Sequence, residues 1–166
     1  MLFKPTVWLE SVLRIDKDLL HKYAIEGLLL DLDNTLSMHD SPAAERGVFE
    51  WLSEMRGLGV RMAVVSNNTE KRVKPLAEEL GVAFVAFGCK PLPFGLRKGV
   101  RLLQLPKSRV ALVGDQIFTD VAGGNLYGIK TILVEPFYLE SKPSFRLKRK
   151  IESVVFKRDF SKSEKK

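Results

Sequence analysis

Five short apolar runs punctuate this chain: 27–32 (GLLLDL), 60–65 (VRMAVV), 82–87 (VAFVAF), 110–113 (VALV) and 131–134 (TILV). The stretches between them, at 43–58, 70–80, 93–103 and 119–127, carry helical patterns. Nearly continuous apolar strands that alternate with helices must be covered on both faces. The alternation therefore predicts an α/β fold, a doubly wound (Rossmann-like) parallel sheet of five strands with helices on both sides. Gly59, Gly81 and Gly128 stand where helices should stop, and Thr69 stands where one should start. Ahead of the first run, 6–20 reads as one or two short helices with Trp8, Leu9, Val12 and Leu13 on one side. Near the end, Leu147, Ile151, Val154 and Val155 recur at helical spacing over 144–156, predicting an amphipathic helix with a basic face. No internal repeat or second core is visible. The expected division is one domain over 1–140, N-terminal helical segment included, and a basic helix and tail over 141–166.

Charge divides the chain at the same place. The net charge is +7, and residues 141–166 hold 10 Lys/Arg against 3 Asp/Glu, so the first 140 residues are neutral overall. The basicity thus belongs to the tail, and the body lacks the aromatic and basic interleaving of a nucleic-acid motif. The single cysteine, Cys89, excludes an internal disulfide framework and fits a reducing compartment. No apolar run approaches the ~20 residues of a membrane-spanning helix. The N-terminus MLFKPTVWLE lacks the apolar core of a secretory signal. The expected location is cytoplasmic, with peripheral membrane contact through the tail as one outcome and a merely solvated tail as the other.

In a parallel α/β sheet, ligands bind beyond the carboxyl ends of the strands. The first run ends in Asp31-Leu32-Asp33-Asn34-Thr35, the second in Ser66-Asn67-Asn68, the third in Cys89-Lys90-Pro91 and the fourth in Gly114-Asp115, with Asp120 beyond. Asp31, Ser66, Lys90 and Asp115 are 35, 24 and 25 positions apart, close to what one strand–helix unit consumes. One edge of the sheet would therefore collect them all.

Asp31 and Asp33, two apart, should face one side while Leu32 enters the core. Carboxylates that close repel unless a cation holds them. Mg²⁺ takes a few carboxylate oxygens plus water and phosphate, and Asp115 can supply a further ligand. Asp31 could then stay ionised and attack phosphorus, giving an aspartyl-phosphate, while Asp33 protonates the leaving oxygen and later activates water. Ser66, backbone N–H groups near Asn67 and the Lys90 ammonium are the group types that stabilise a transferring phosphoryl group.

The motifs DLDNTL (31–36), SNN (66–68), CKP (89–91) and GDQIFTD (114–120) together resemble the haloacid dehalogenase superfamily of phosphotransferases, and more narrowly the YqeG-type group of its subfamily IIIA. The stretch Asp16-Lys17-Asp18-Leu19-Leu20 fits that group too, so the resemblance covers roughly 5–155. It implies Asp31 as nucleophile and Asp33 as acid and base with its backbone carbonyl on Mg²⁺. It further implies Asp115 as metal ligand, Asp120 as a carboxylate behind the ligands, and Ser66, Asn67 and Lys90 on the phosphate. His39 would sit on a flap beside the site; His21 and Cys89 read as structural.

Little chain is spare between these motifs, so the resemblance implies an enzyme without a cap domain. An open site suits a phosphate on something large. Relatives of the group include phosphatidylglycerophosphate phosphatases, and an anionic phospholipid at a membrane surface is the substrate class this implies. Two alternatives stand beside it: a soluble phosphatase for a phosphorylated metabolite, nucleotide or protein, and an RNA- or ribosome-binding protein that uses its basic tail.

Overall fold

The computed structural model describes residues 1–38 and 41–136, so His39 and the helix expected at 144–156 lie outside the described residues. Six strands, β1 (Val7–Leu9), β2 (Gly27–Leu30), β3 (Arg61–Val65), β4 (Ala83–Val85), β5 (Val110–Gly114) and β6 (Lys130–Val134), form one sheet in the order β1-β6-β5-β2-β3-β4. Every pairing is parallel. Helices α1 (Lys17–Lys22), α2 (Val48–Gly57), α3 (Glu70–Glu79), α4 (Pro93–Leu103) and α5 (Ala122–Tyr127) connect them.

The strand period of two sorts the core into two layers. Leu28 and Leu30 of β2, Val64 of β3 and Ala111 and Val113 of β5 pack with Trp51, Leu52 and Met55 of α2 and Val73 and Leu76 of α3. Leu29, Ala63, Val65, Val110 and Leu112 turn to the opposite face, against Leu96, Val100 and Leu103 of α4. The central strands are buried on both sides, which is why their sequences read as unbroken apolar runs.

The sheet has six strands where five were expected, because Val7–Leu9 is an edge strand and not the start of a helix. A β-branched and an aromatic residue favour extended backbone there, and β6 offers an open edge. Thr6 and Thr131 lock the pairing: the Thr6 N–H donates to Oγ1 of Thr131 at 3.2 Å, and the Thr131 N–H to Oγ1 of Thr6 at 3.1 Å. Short helices follow, a 3-10 turn at Val12–Arg14 and then α1, whose first turn is capped by Asp16 Oδ1 accepting from the Leu19 N–H at 2.8 Å. Helix α2 begins at Val48, later than the pattern at 43–58 suggests, because Gly47 sits at φ +87° and breaks the helical path.

From β2 the chain winds outward through β3 to β4, then returns by α4 to β5 on the other side of β2. Strands β2 and β5 therefore flank the switch point, where an open α/β sheet leaves a crevice at its carboxyl edge. Among the described residues no helix is long and apolar enough to cross a membrane.

Candidate active site

Asp31 continues the β2 path for one residue, its N–H donating to the Val113 carbonyl at 2.8 Å. Leu32 behind it is fully buried beside Leu28 and Leu30, so the carboxylates at 31 and 33 are turned away from that core. Across the switch point, β5 ends at Gly114 and delivers Asp115. The chain then makes a wide π-type turn, Ile117–Val121, that brings Asp120 back onto the strand end. Gly114 is what permits this return: a Cβ there would lie 2.3 Å from Cγ of Asp120. Carboxylate oxygens of Asp31, Asp115 and Asp120 come within 4.8 Å of one another, and all three residues are buried.

Lys90 reaches this cluster from the loop after β4. Its Nζ donates to Oδ1 of Asp31 and to Oδ1 of Asp120, both at 2.6 Å. Burial raises the Asp31 carboxyl from 3.8 to about 6, against the downward pull of Lys90 and with further upward pushes from Asp120 and Asp33. For Lys90 burial works against the charge, but Asp120 and Asp31 outweigh it and hold the ammonium above the ordinary lysine value. Asn67 secures the loop: its Oδ1 accepts the Lys90 N–H at 2.7 Å and its Nδ2 donates to the Lys90 carbonyl at 2.9 Å. Both ends of that amide thus hold the Lys90 backbone.

Asp33 occupies the other wall. Its Oδ1 accepts from Arg72 Nη2 and its Oδ2 from Asn68 Nδ2, each at 2.7 Å, and Arg72 also donates to Ser37 Oγ at 3.1 Å. The Asp33 carboxylate is not among the clustered oxygens of Asp31, Asp115 and Asp120. Ser66, buried at the end of β3, accepts the Asn68 N–H through Oγ at 3.1 Å. Between the walls lies an open cleft of about 180 Å³ lined by Asp31, Asp33, Ser66, Asn67, Asn68, Lys90, Gln116 and Thr119.

The structure therefore gathers Asp31, Asp115, Asp120 and Lys90 at one point and sets Asp33, Ser66 and Asn67 around the same cleft. Asp120 lies at the cluster itself, nearer than a supporting carboxylate was expected to be. Arg72, Gln116 and Thr119 were missed. Arg72 lies in a polar helix start, EKR, where a lysine or arginine usually only solvates the surface, and no spacing marks it. Gln116 and Thr119 lie inside GDQIFTD, and that motif was their signal.

A hard divalent cation fits the donor set, which is all carboxylate oxygen at a span one ion can bridge. Asp31, Asp115 and Asp120 could hold it, with one oxygen of Asp31 and one of Asp120 already committed to Lys90.

A family model for haloacid dehalogenase-like hydrolases matches residues 7–128. The chain is 37% identical over 150 residues to the probable phosphatase YqeG of Bacillus subtilis (strain 168), covering 90% of this chain and 87% of that protein. It is 28% identical to the chloroplastic/mitochondrial phosphatidylglycerophosphate phosphatase 1 of Arabidopsis thaliana, over 93% of this chain but 47% of that protein, about half its length. Among solved structures, 4-nitrophenylphosphatase from Thermotoga maritima aligns with a TM-score of 0.57 over 73% of this chain and 89% of that one, at 15% identity, a likeness of fold alone. The match spans β1 to α5 and takes in every strand end that lines the cleft: the chain belongs to the haloacid dehalogenase-like hydrolase family and is an enzyme of the phosphatase type.

Proposed function

We propose that this enzyme is a Mg²⁺-dependent phosphomonoesterase that works through an aspartyl-phosphate on Asp31 and acts, without a cap domain, on a phosphate carried by a large or surface-bound substrate, phosphatidylglycerophosphate being the leading candidate. The observation that carries the reading is the position of Asp31. It heads the central strand, faces an open cleft, and has Oδ1 fixed by Lys90. Oδ2 is then the oxygen for attack on phosphorus, forming the Asp31–phosphorus bond as the phosphorus–leaving-oxygen bond breaks.

Asp33 gives the leaving oxygen its proton, its carboxyl turning from Arg72 and Asn68 toward the cleft, and then takes a proton from the water that hydrolyses the aspartyl-phosphate. Lys90, the Ser66 hydroxyl and the backbone N–H of Asn67 serve the phosphoryl oxygens, since negative charge spreads over them during transfer. The side chain of Asn67 contributes by holding Lys90 in place. A bound Mg²⁺, on Asp31, Asp115 and the Asp33 carbonyl with Asp120 beside them, would neutralise phosphate charge and let Asp31 remain ionised. The relatives' names support the lipid substrate, and so does the shortness of the chain between β2 and β3, which holds one helix and a tight loop among the described residues.

The test is acid-quench trapping of phosphate on the protein during turnover, with the Asp31→Asn variant beside it. Wild type should carry the label on Asp31, and the variant should neither trap label nor turn over while keeping its fold. Turnover by the variant would end the covalent reading. Release of phosphate from phosphatidylglycerophosphate in vesicles, set against a panel of soluble phosphate esters, decides the substrate class.

A further inference from the structure

The loop that delivers Lys90 also has an outward side. Its ends are pinned where the Gly95 N–H donates to the Gly88 carbonyl at 3.1 Å, so close that a Cβ on Gly95 would sit 2.4 Å from that oxygen. Lys90 is buried against Asp31 and Asp120. Phe87 and Leu92 on this loop and Phe94 in the first turn of α4 are 62%, 54% and 60% exposed. Apolar side chains left in water forgo most of the stabilisation that burial would give, and three of them on a pinned loop and the helix turn that follows it mark a surface of interaction.

Helix α4 extends that surface. Its inner side is Gly95, Leu96, Gly99, Val100 and Leu103. Phe94 thus shares the outer side with Arg97, Lys98 and Arg101, one and two turns on, all exposed. From residue 80 to residue 114 the chain holds six Lys/Arg and no Asp or Glu. The neutrality of the first 140 residues therefore conceals a basic quarter, from β4 to β5, set against an acidic remainder. Among the described residues, Arg97, Lys98 and Arg101 form no ion pair.

We infer that this face docks the cleft onto an anionic lipid bilayer, with Phe87, Leu92 and Phe94 entering the interface and Arg97, Lys98 and Arg101 meeting the headgroups. A bilayer offers both things the face asks for, negative charge and an apolar layer just beneath it. A second copy docked face to face would oppose the two basic helices, and the chain's own basic tail would be repelled in the same way. Nucleic acid would satisfy the cations and leave the aliphatic Leu92 in water. The inference takes the cleft to be the catalytic one, as proposed above, but binding is read without turnover, so either reading can fail alone.

The experiment is co-sedimentation of the full chain with phosphatidylcholine vesicles, with and without phosphatidylglycerol. Wild type should bind the mixed vesicles and release as salt rises. Phe87→Ser/Leu92→Ser/Phe94→Ser should weaken binding at least about tenfold, and Arg97→Gln/Lys98→Gln/Arg101→Gln by a similar factor. Both should hydrolyse 4-nitrophenyl phosphate within about twofold of wild type, since none of the six belongs to the catalytic set. If the triple serine variant does not fold, Phe94→Ser alone, on a helix turn already half in water, should lower binding measurably. Wild-type binding by the variants overturns the inference and assigns any membrane contact to the tail. A face that binds RNA through its arginines with no loss on Phe94→Ser, or a dimer in the ultracentrifuge that Phe94→Ser dissolves, overturns it as well.

Discussion

Replacing Lys90 by methionine keeps the length of the side chain and removes the cation that joins two buried carboxylates. Asp31 and Asp120 each lose a 2.6 Å charge-assisted bond, with side chains only 9% and 2% exposed. Breaking a buried pair from one side costs about 3–5 kcal/mol, because the remaining charge is neither solvated nor matched. Proton uptake sets the ceiling: holding a carboxyl of ordinary pKa near 3.9 protonated at pH 7 costs about 4 kcal/mol. A loss of about 3–5 kcal/mol overall is expected for the metal-free protein, or roughly 10 °C in Tm for a chain of this size. The sign of the pH dependence follows. Without Lys90 the Asp31 carboxyl keeps the burial that raises it and loses the cation that pulls it down, so the folded state holds a proton there that the unfolded state releases, and the variant's deficit must shrink as pH falls from 7 to 5. Urea unfolding at both pH values measures it, and added Mg²⁺ should recover part of the loss at pH 7. A deficit below about 1 kcal/mol, or one indifferent to pH and to Mg²⁺, would refute the view that Lys90 serves as the counter-charge of the cluster.

Asp33→Asn should lower turnover about 10²–10⁴-fold on substrates with poor leaving groups and much less on 4-nitrophenyl phosphate, whose leaving oxygen needs little protonation; an equal loss across a leaving-group series would remove Asp33 from the acid role. Gly114→Ala should destabilise by about 1–3 kcal/mol and impair activity, because its Cβ would overlap the Asp120 carboxylate at 2.3 Å and push Asp120 off Lys90. Denaturation and activity measured together check it, and a variant as stable and active as wild type would show that Asp120 is not held where the structure has it.

The four interior strands, β2, β3, β5 and β6, were legible because burial on both faces forces an apolar run that no helix of that length would need, and β4, at the far edge, was legible from its own run VAFVAF. The edge strand β1 was not. It is three residues long, half in water, and followed by Val12 and Leu13 at spacings that also suit a helix. The residues of the site were legible wherever a strand end fixed them: Asp31, Ser66 and Asp115 stand at or just past the end of an apolar run, and Lys90 follows its run after a short loop. Asp120 was harder to rank, since its closeness to Asp31 depends on a wide turn that the sequence marks only through Gly114. Arg72 was invisible because its partner, Asp33, is 39 residues away and belongs to a different strand-helix unit. Local pattern carries the frame, and long-range pairings decide which polar side chains meet on it.

The pairing of β1 with β6 bears on the order in which the molecule is assembled. The threonines that lock it are 125 residues apart, whereas partners on β2 and β3 are separated by about a quarter of that. Two doublings of a closing loop add about 1.2 kcal/mol of entropy cost, so the central strands join first and the edge joins late. On a growing chain the asymmetry is sharper. Strand β1 emerges before the other five described strands yet has no partner until residue 134 has been synthesised, by which time every residue lining the cleft has already been made. The first strand out is the last to be placed, and until then β6 keeps a bare edge that a neighbouring chain can take up.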